Sequence, residues 1–234
     1  MDEDRATILR LQQVGMRYGS GDEVLRDVDL ALPSGSLHFL VGPSGAGKTS
    51  LLRLMSLSHP ASRGTITLFG RDVSRLDRAA LAGVRRRVGV VFQDFRLLDH
   101  LSAFDNVALP LRIAGASEEQ ISSYVSEMLG WLGLSDLIEA RPPHLSMGER
   151  QLVAVARAVI ARPALLLADE PTSNVDPKRA RRLMHLFSSL NEMGTAVVLA
   201  THSQDLLRRH PWPVLQMEAG RLVQLDAAAL AAAD

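Results

Sequence analysis

Cysteine is absent from the 234-residue sequence, which excludes disulfide staples, thiol nucleophiles and cysteine-built zinc sites. Net charge is absent too. The 26 basic side chains balance 26 acidic ones, without the surplus that binders of nucleic acid usually carry, so no nucleic-acid partner is expected. No apolar run approaches the roughly 20 residues of a membrane-spanning helix. The N-terminal "MDEDRATIL" is acidic where a secretory leader would be basic. These absences predict a soluble, unexported protein without repeats, long enough for one large domain with its own core.

What is present is alternation. "TILRLQQVGMRY" and "VLRDVDLAL" read as strands, and "GSLHFLVG" reads as a short apolar strand buried on both faces. The period then lengthens: "KTSLLRLMSLS" sets Leu51, Leu52 and Met55 at helical spacing, so a strand passes through a glycine-rich turn into a helix. "GTITLFG" is another strand, and "RRRVGVVFQ", "PALLLADE" and "GTAVVLATH" are three apolar runs that end in polar residues. Strands alternating with helices predict an α/β domain with a mainly parallel sheet, whose ligands gather at the strands' carboxyl ends. From about Phe95 to Arg162 the pattern is helical and predicts an inserted helical subdomain. "VLQMEAGRLVQL" holds two short strands around a glycine turn. The predicted domain runs over residues 1–226, and the Ala-rich tail 227–234 is given no role.

Chemistry concentrates at the ends of those runs. "GPSGAGKT", from Gly42 through Pro43, Ser44, Gly45, Ala46, Gly47 and Lys48 to Thr49, has the spacing of a phosphate loop and lies between a predicted strand and a predicted helix. Small residues let successive backbone N–H groups face phosphate oxygens, and the helix start adds partial positive charge. Lys48 supplies a mobile cation, the Thr49 hydroxyl suits Mg²⁺, and Ser50 continues the motif. "LLLADE" ends an apolar strand with Asp169 beside Glu170. Neighbouring strand side chains point to opposite faces, so Asp169 is expected to orient Mg²⁺ and Glu170 to polarise the attacking water. Gln93 and His202 close two further apolar strands, where each could equally be a satisfied surface polar.

"LSMGERQ", Leu145 to Gln151, holds neither a nucleophile nor a metal-ligand pair. In order along the chain, "GPSGAGKT", Gln93, "LSMGERQ", "LLLADEP", "SNVD" and His202 resemble the motif set of the ATP-binding-cassette (ABC) ATPases, a branch of the P-loop NTPases. The resemblance implies an antiparallel β-subdomain at the N-terminus and a catalytic set of Glu170, His202, Lys48 and Gln93. Gln93 would also join Thr49 and Asp169 at Mg²⁺. It implies a homodimer with two sandwiched ATP molecules, in which Ser146, Met147, Gly148 and Glu149 cover a nucleotide held by the partner's phosphate loop. Asp176 would cross the same interface, although beside Pro177 it also reads as a helix N-cap. Tyr18 stands where the family often stacks an aromatic on adenine, with plain sheet packing as the alternative.

One departure stands out. The family usually has Gly at the position of Met147, where a side chain removes positive-φ freedom and can crowd the triphosphate, so slowed hydrolysis is expected. "VGVVFQDFRLL", "FDNVALPLRIAG" and "LLLADEPTSNVDP" are similar to the FtsE-type branch of bacterial cell-division ATPases, and less so to lipoprotein-releasing and macrolide-export ATPases. That branch implies an FtsX-like polytopic membrane partner, with the chain peripheral on the cytoplasmic face of the bacterial inner membrane. "DFRLLDHLSAFDNVALPLRIAG" reads as subdomain core or as a groove for a helix of that partner. Arg85, Arg86 and Arg87 read as a solvated helix end, with contact to acidic lipid or a partner as the alternative. A nucleotide-gated scaffold that scarcely hydrolyses ATP is the rival reading. A GTPase is disfavoured by the lack of an Asn-Lys-x-Asp stretch.

Overall fold

Where the apolar period changes, the backbone changes with it. The computed structural model describes residues 6–225, with side chains described up to Val223. The acidic N-terminus up to Arg5 and the Ala-rich tail lie outside these residues. β1 (Thr7–Arg17) and β2 (Glu23–Pro33) pair antiparallel, and β4 (Arg63–Leu68) and β5 (Arg71–Asp72) complete a sheet of order β2-β1-β4-β5. The larger sheet has the order β10-β9-β3-β8-β7-β6. It is built from β3 (Leu37–Val41), β6 (Val88–Val91), β7 (Leu165–Asp169), β8 (Ala196–Ala200), β9 (Val214–Glu218) and β10 (Arg221–Leu225). All its pairings are parallel except that of β9 with β10.

Every residue of β7 and of β8 is buried. That burial explains their unbroken apolar runs, because a parallel strand covered on both faces has no solvent side to mark with polar residues. Successive side chains therefore enter different cores. Phe39 joins the cluster that holds Val107, Leu129 and Phe187, while Leu40 joins the one that holds Leu51, Leu54 and the β1 and β2 side chains.

α1 (Lys48–Met55) follows the phosphate-loop sequence and ends earlier than its apolar period suggests, since Ser56 caps it and Leu57 takes a left-handed φ of 58°. α2 (Arg78–Arg85) begins at Asp77, whose carboxylate accepts the Ala80 N–H. Residues 95–162 hold α3 (Ala103–Ala114), α4 (Glu118–Trp131) and α5 (Met147–Val159), with no strand. α6 (Pro177–Glu192) and α7 (Gln204–Arg209) follow.

α5 starts at a reciprocal cap. The Ser146 hydroxyl oxygen accepts from the Glu149 N–H at 3.3 Å, and the Glu149 carboxylate accepts from the Ser146 N–H at 2.8 Å. Its body seats on β6, where a side-chain carbon at Gly89 would lie 2.3 Å from the Ala158 carbonyl oxygen. Glycine is what lets helix and strand approach there.

The arginines at the end of α2 are exposed, and two of them also hold neighbouring loops. Arg85 donates twice to the Leu57 carbonyl, and the Arg87 guanidinium lies 3.8 Å from the centroid of the Phe69 ring. The stretch after Gln93 is partly core: Ala103, Val107, Ala108 and Leu111 are buried, whereas Leu98 and Ile113 stay exposed. No helix of the described residues is long and apolar enough to cross a membrane.

Candidate nucleotide site

Since β3, β6, β7 and β8 run parallel, their carboxyl ends share one edge of the sheet, and the candidate residues of four segments meet there. The loop after β3 turns on Gly42, with φ 146°, and Gly47, with φ 106°. A side-chain carbon at Gly42 would sit 2.3 Å from the Met217 carbonyl oxygen, and one at Gly47 would sit 2.9 Å from the Leu25 side chain, so neither position admits another residue. The loop wraps from Pro43 and Ser44 through Gly45 and Ala46, whose N–H donates to the Pro43 carbonyl, into α1, which begins at Lys48. Ser50 is buried at its start. Lys48 Nζ donates to the carbonyls of Gly42 at 2.7 Å and Pro43 at 3.1 Å, a position from which phosphate oxygens can take over its protons.

Thr49 and Asp169, 120 residues apart in sequence, are joined by a 2.7 Å hydrogen bond from the Thr49 hydroxyl to the carboxylate. Two hard oxygen donors beside a phosphate cradle fit Mg²⁺, which takes few protein ligands and completes its shell with water and phosphate. No cluster of three or more His, Asp or Glu side chains able to hold a metal forms among the described residues. Gln93 lies two residues past the end of β6, is exposed and has no side-chain hydrogen bond among the described residues.

Glu170 differs from the expectation of simple strand alternation. β7 ends at Asp169, and Glu170 takes a left-handed φ of 50°, a conformation that residues with side chains adopt only when their surroundings hold them. Its N–H donates to the Ala200 carbonyl at 2.9 Å. Its carboxylate meets His202 Nδ1 at 2.7 Å and the Thr201 hydroxyl at 3.5 Å. The backbone kink, more than alternation, separates the two acids. The Glu170 side chain is 13% exposed and His202 is 76% exposed, so the pair presents an imidazole to solvent over an otherwise covered carboxylate.

Tyr18 follows β1 and is partly exposed; its hydroxyl bonds the Ser50 hydroxyl at 3.1 Å, and its ring makes a T-shaped contact with that of His59. No hydrogen bond links Ser146, Met147, Gly148 or Glu149 to loop residues 42–49 within the described chain. Met147 is the first residue of α5, 54% exposed, and is not among the residues with positive φ. The expected need for glycine freedom therefore does not exist at this position; only the bulk of the side chain separates Met147 from Gly. Glu149 is held below the usual carboxylate range chiefly by the Ser146 N–H. Asp176 caps α6 by accepting from the Lys178 and Arg179 N–H groups at 2.9 and 3.0 Å, and these bonds lower its pKa, the Arg179 N–H foremost.

Three participants escaped the sequence. Thr201 is buried beside Glu170, and only its place before His202 hinted at it. Asn174 approaches α5: its carbonyl oxygen would lie 2.7 Å from a side-chain carbon at Gly148, and its amide reaches Gln151 at 3.5 Å. Arg157 donates to the carbonyls of Phe95 and Arg96 at 2.7 Å each, and no motif marked it.

Comparison with known proteins agrees with this geometry. The family profile described as "ABC transporter" matches residues 25–173. The cell-division ATP-binding protein FtsE of Escherichia coli K12 is 40% identical over 92% of this chain and 97% of its own length. The methionine import ATP-binding protein MetN of Cupriavidus metallidurans is 38% identical over 93% of this chain, which spans only 64% of that relative's length. The ATP-binding cassette MJ0796, solved as a dimer in a post-hydrolysis state bound to ADP and Pi, superposes with a TM-score of 0.87 at 30% identity, over 94% of this chain and 98% of its own. The protein belongs to the ABC transporter family and is an ATPase built on an ATP-binding cassette.

Proposed function

We propose that the chain is the ATP-hydrolysing subunit of a membrane-associated complex in bacterial cell division, working as a homodimer with an FtsX-like polytopic partner at the cytoplasmic face of the inner membrane. Support for the division role comes from the similarity to FtsE, 40% identical over 92% of this chain, and from the stretches "VGVVFQDFRLL", "FDNVALPLRIAG" and "LLLADEPTSNVDP". The surface around Leu98 and Ile113 offers a docking place for a helix of the partner. A transporter subunit of the methionine-import, lipoprotein-releasing or macrolide-export kind is the alternative, with MetN nearly as similar.

The chemistry rests on one observation above others, the meeting of Thr49 with Asp169 and of Glu170 with His202 on a single sheet edge. ATP lies along residues 42–49, with Lys48 leaving the loop carbonyls for the β- and γ-phosphates. Tyr18 stacks on adenine. Thr49, Asp169 and Gln93 would hold Mg²⁺, whose charge would offset that on the phosphates. The Glu170 carboxylate accepts the proton of the attacking water, and His202 fixes that carboxylate from the solvent side.

Ser146, Met147, Gly148 and Glu149 act across the dimer. The Met147 and Gly148 amides belong to the first turn of α5, where no intrahelical acceptor exists, and Ser146 accepts from Glu149 yet keeps its own proton to donate. Asp176 lies near the interface from its place at the start of α6. Glu170→Gln should therefore accumulate as an ATP-loaded dimer on size-exclusion chromatography, with hydrolysis reduced at least about a hundredfold. Persistent monomers under saturating ATP would overturn the sandwich. Affinity capture from gently solubilised membranes should retrieve an FtsX-like protein; a methionine permease in its place would overturn the division role.

A further inference from the structure

The loop that carries Gln93 has an unusual backbone. Phe95 and Arg96, neither of them glycine, both take left-handed conformations, with φ 58° and 49°. Side-chain-bearing residues hold such geometry only when something outside the loop keeps them there. Part of the restraint is local, since Arg96 pairs with Asp94 and lies 3.8 Å over the Phe92 ring. The restraint from outside is Arg157. Its guanidinium donates one nitrogen to the Phe95 carbonyl and another to the Arg96 carbonyl, both at 2.7 Å, grasping the two strained peptides together.

Arg157 belongs to α5, ten residues beyond Met147, about 15 Å along the same rigid helix. The helix is fixed at both ends. Gly89 lets Ala158 press on β6, the strand that leads to Gln93, and Gly148 lets the Asn174 carbonyl press on its first turn. A partly buried guanidinium, deprived of water, has strong reason to keep both carbonyls.

We propose that Arg157 is a positioning residue that ties the Gln93 loop to the helix bearing Ser146 to Gly148, so that the loop at one nucleotide and the helix end covering the partner's nucleotide move as one body. This rests on the crossed-site reading above. Arg157 acts through the Phe95 and Arg96 carbonyls; it sets where Gln93 stands when the partner's site closes.

The test uses the full chain. Arg157→Gln should keep ATP affinity in the monomer, lower kcat roughly tenfold, and raise roughly tenfold the ATP concentration needed to form dimers in the Glu170→Gln background. Arg157→Lys, with a single shorter donor head, should fall between the two. Adding Phe95→Gly and Arg96→Gly to Arg157→Gln should leave kcat low and the ATP requirement for dimers raised, because glycine takes positive φ but supplies no tie to α5. A merely structural role predicts a different pattern, with activity and dimerisation following a lowered melting temperature or recovering with the loop glycines. That pattern, or parental kcat and dimerisation in Arg157→Gln, overturns the proposal. Should Glu170→Gln alone fail to dimerise, the crossed site falls and the coupling falls with it.

Discussion

Gly148 shows how one hydrogen atom in place of a methyl group can hold a site together. The family resemblance implies that it covers a partner's nucleotide, and the structure adds a reason of space: the Asn174 carbonyl oxygen occupies the volume a side chain would need, at 2.7 Å, and it is backbone that cannot swing aside. Gly148→Ala should displace residues 173–176 from α5, cost about 1–3 kcal/mol of stability and cut ATPase activity at least about tenfold while nucleotide still binds. Parental turnover in this variant would show that the Asn174 segment does not need that seat. Met147 is the contrasting case. Its backbone is ordinary helix, so Met147→Gly relieves no strain, costs up to about 1 kcal/mol of helix propensity, and changes turnover only by removing bulk. Turnover should rise, and a phosphate-release assay showing no increase would mean the side chain turns clear of the nucleotide.

At the scale of elements, the strands were legible because each apolar run is bounded by glycine or polar residues, and β7, β8 and the phosphate loop fell where the pattern put them. Less legible were features made by tertiary contact. The kink at Glu170, the turn-back at Phe95 and Arg96, and the early end of α1 at Leu57 all use left-handed non-glycine residues, which no local propensity announces. β3 carries another hidden feature. His38 lies buried in this strand, its Nδ1 has no hydrogen-bond partner among the described residues, and burial lowers its pKa from an ordinary 6.5. Its neutral form is thus favoured on folding. The stabilisation is complete above the unfolded value, about 6.5, and is lost progressively as pH falls towards the folded one. Thermal melts between pH 8 and pH 5 should show a falling transition temperature that His38→Leu flattens. An equal fall in both proteins would move the effect elsewhere, His210 being the first place to look because burial also lowers its pKa.

For the whole molecule, the phosphate loop lies where the two cores meet, with α1 packed among the β1 and β2 side chains and Asp169 reached from the parallel sheet. ATP binding there would stabilise the entire fold, since the unfolded chain has no loop to offer. At a hundred times its dissociation constant a ligand contributes about 2.7 kcal/mol, which for a chain of this size raises the melting temperature by about 5–10 °C. Lys48→Ala should lose most of that shift at the same ATP concentration, because the ammonium that leaves the Gly42 and Pro43 carbonyls for phosphate is gone. A second dependence separates a lone cassette from a sandwiched pair. Reversing a dimer population from 1:99 to 99:1 takes about 5.5 kcal/mol of differential binding, and in a sandwich that difference resides in contacts from both copies. The melting temperature of Glu170→Gln with ATP should then climb as protein concentration increases, while the parent without nucleotide melts at one temperature across the same range. If the ATP-loaded variant melts independently of concentration, each copy holds its nucleotide alone, and the surface formed by Ser146 and Gly148 must serve some purpose other than covering a partner's phosphates.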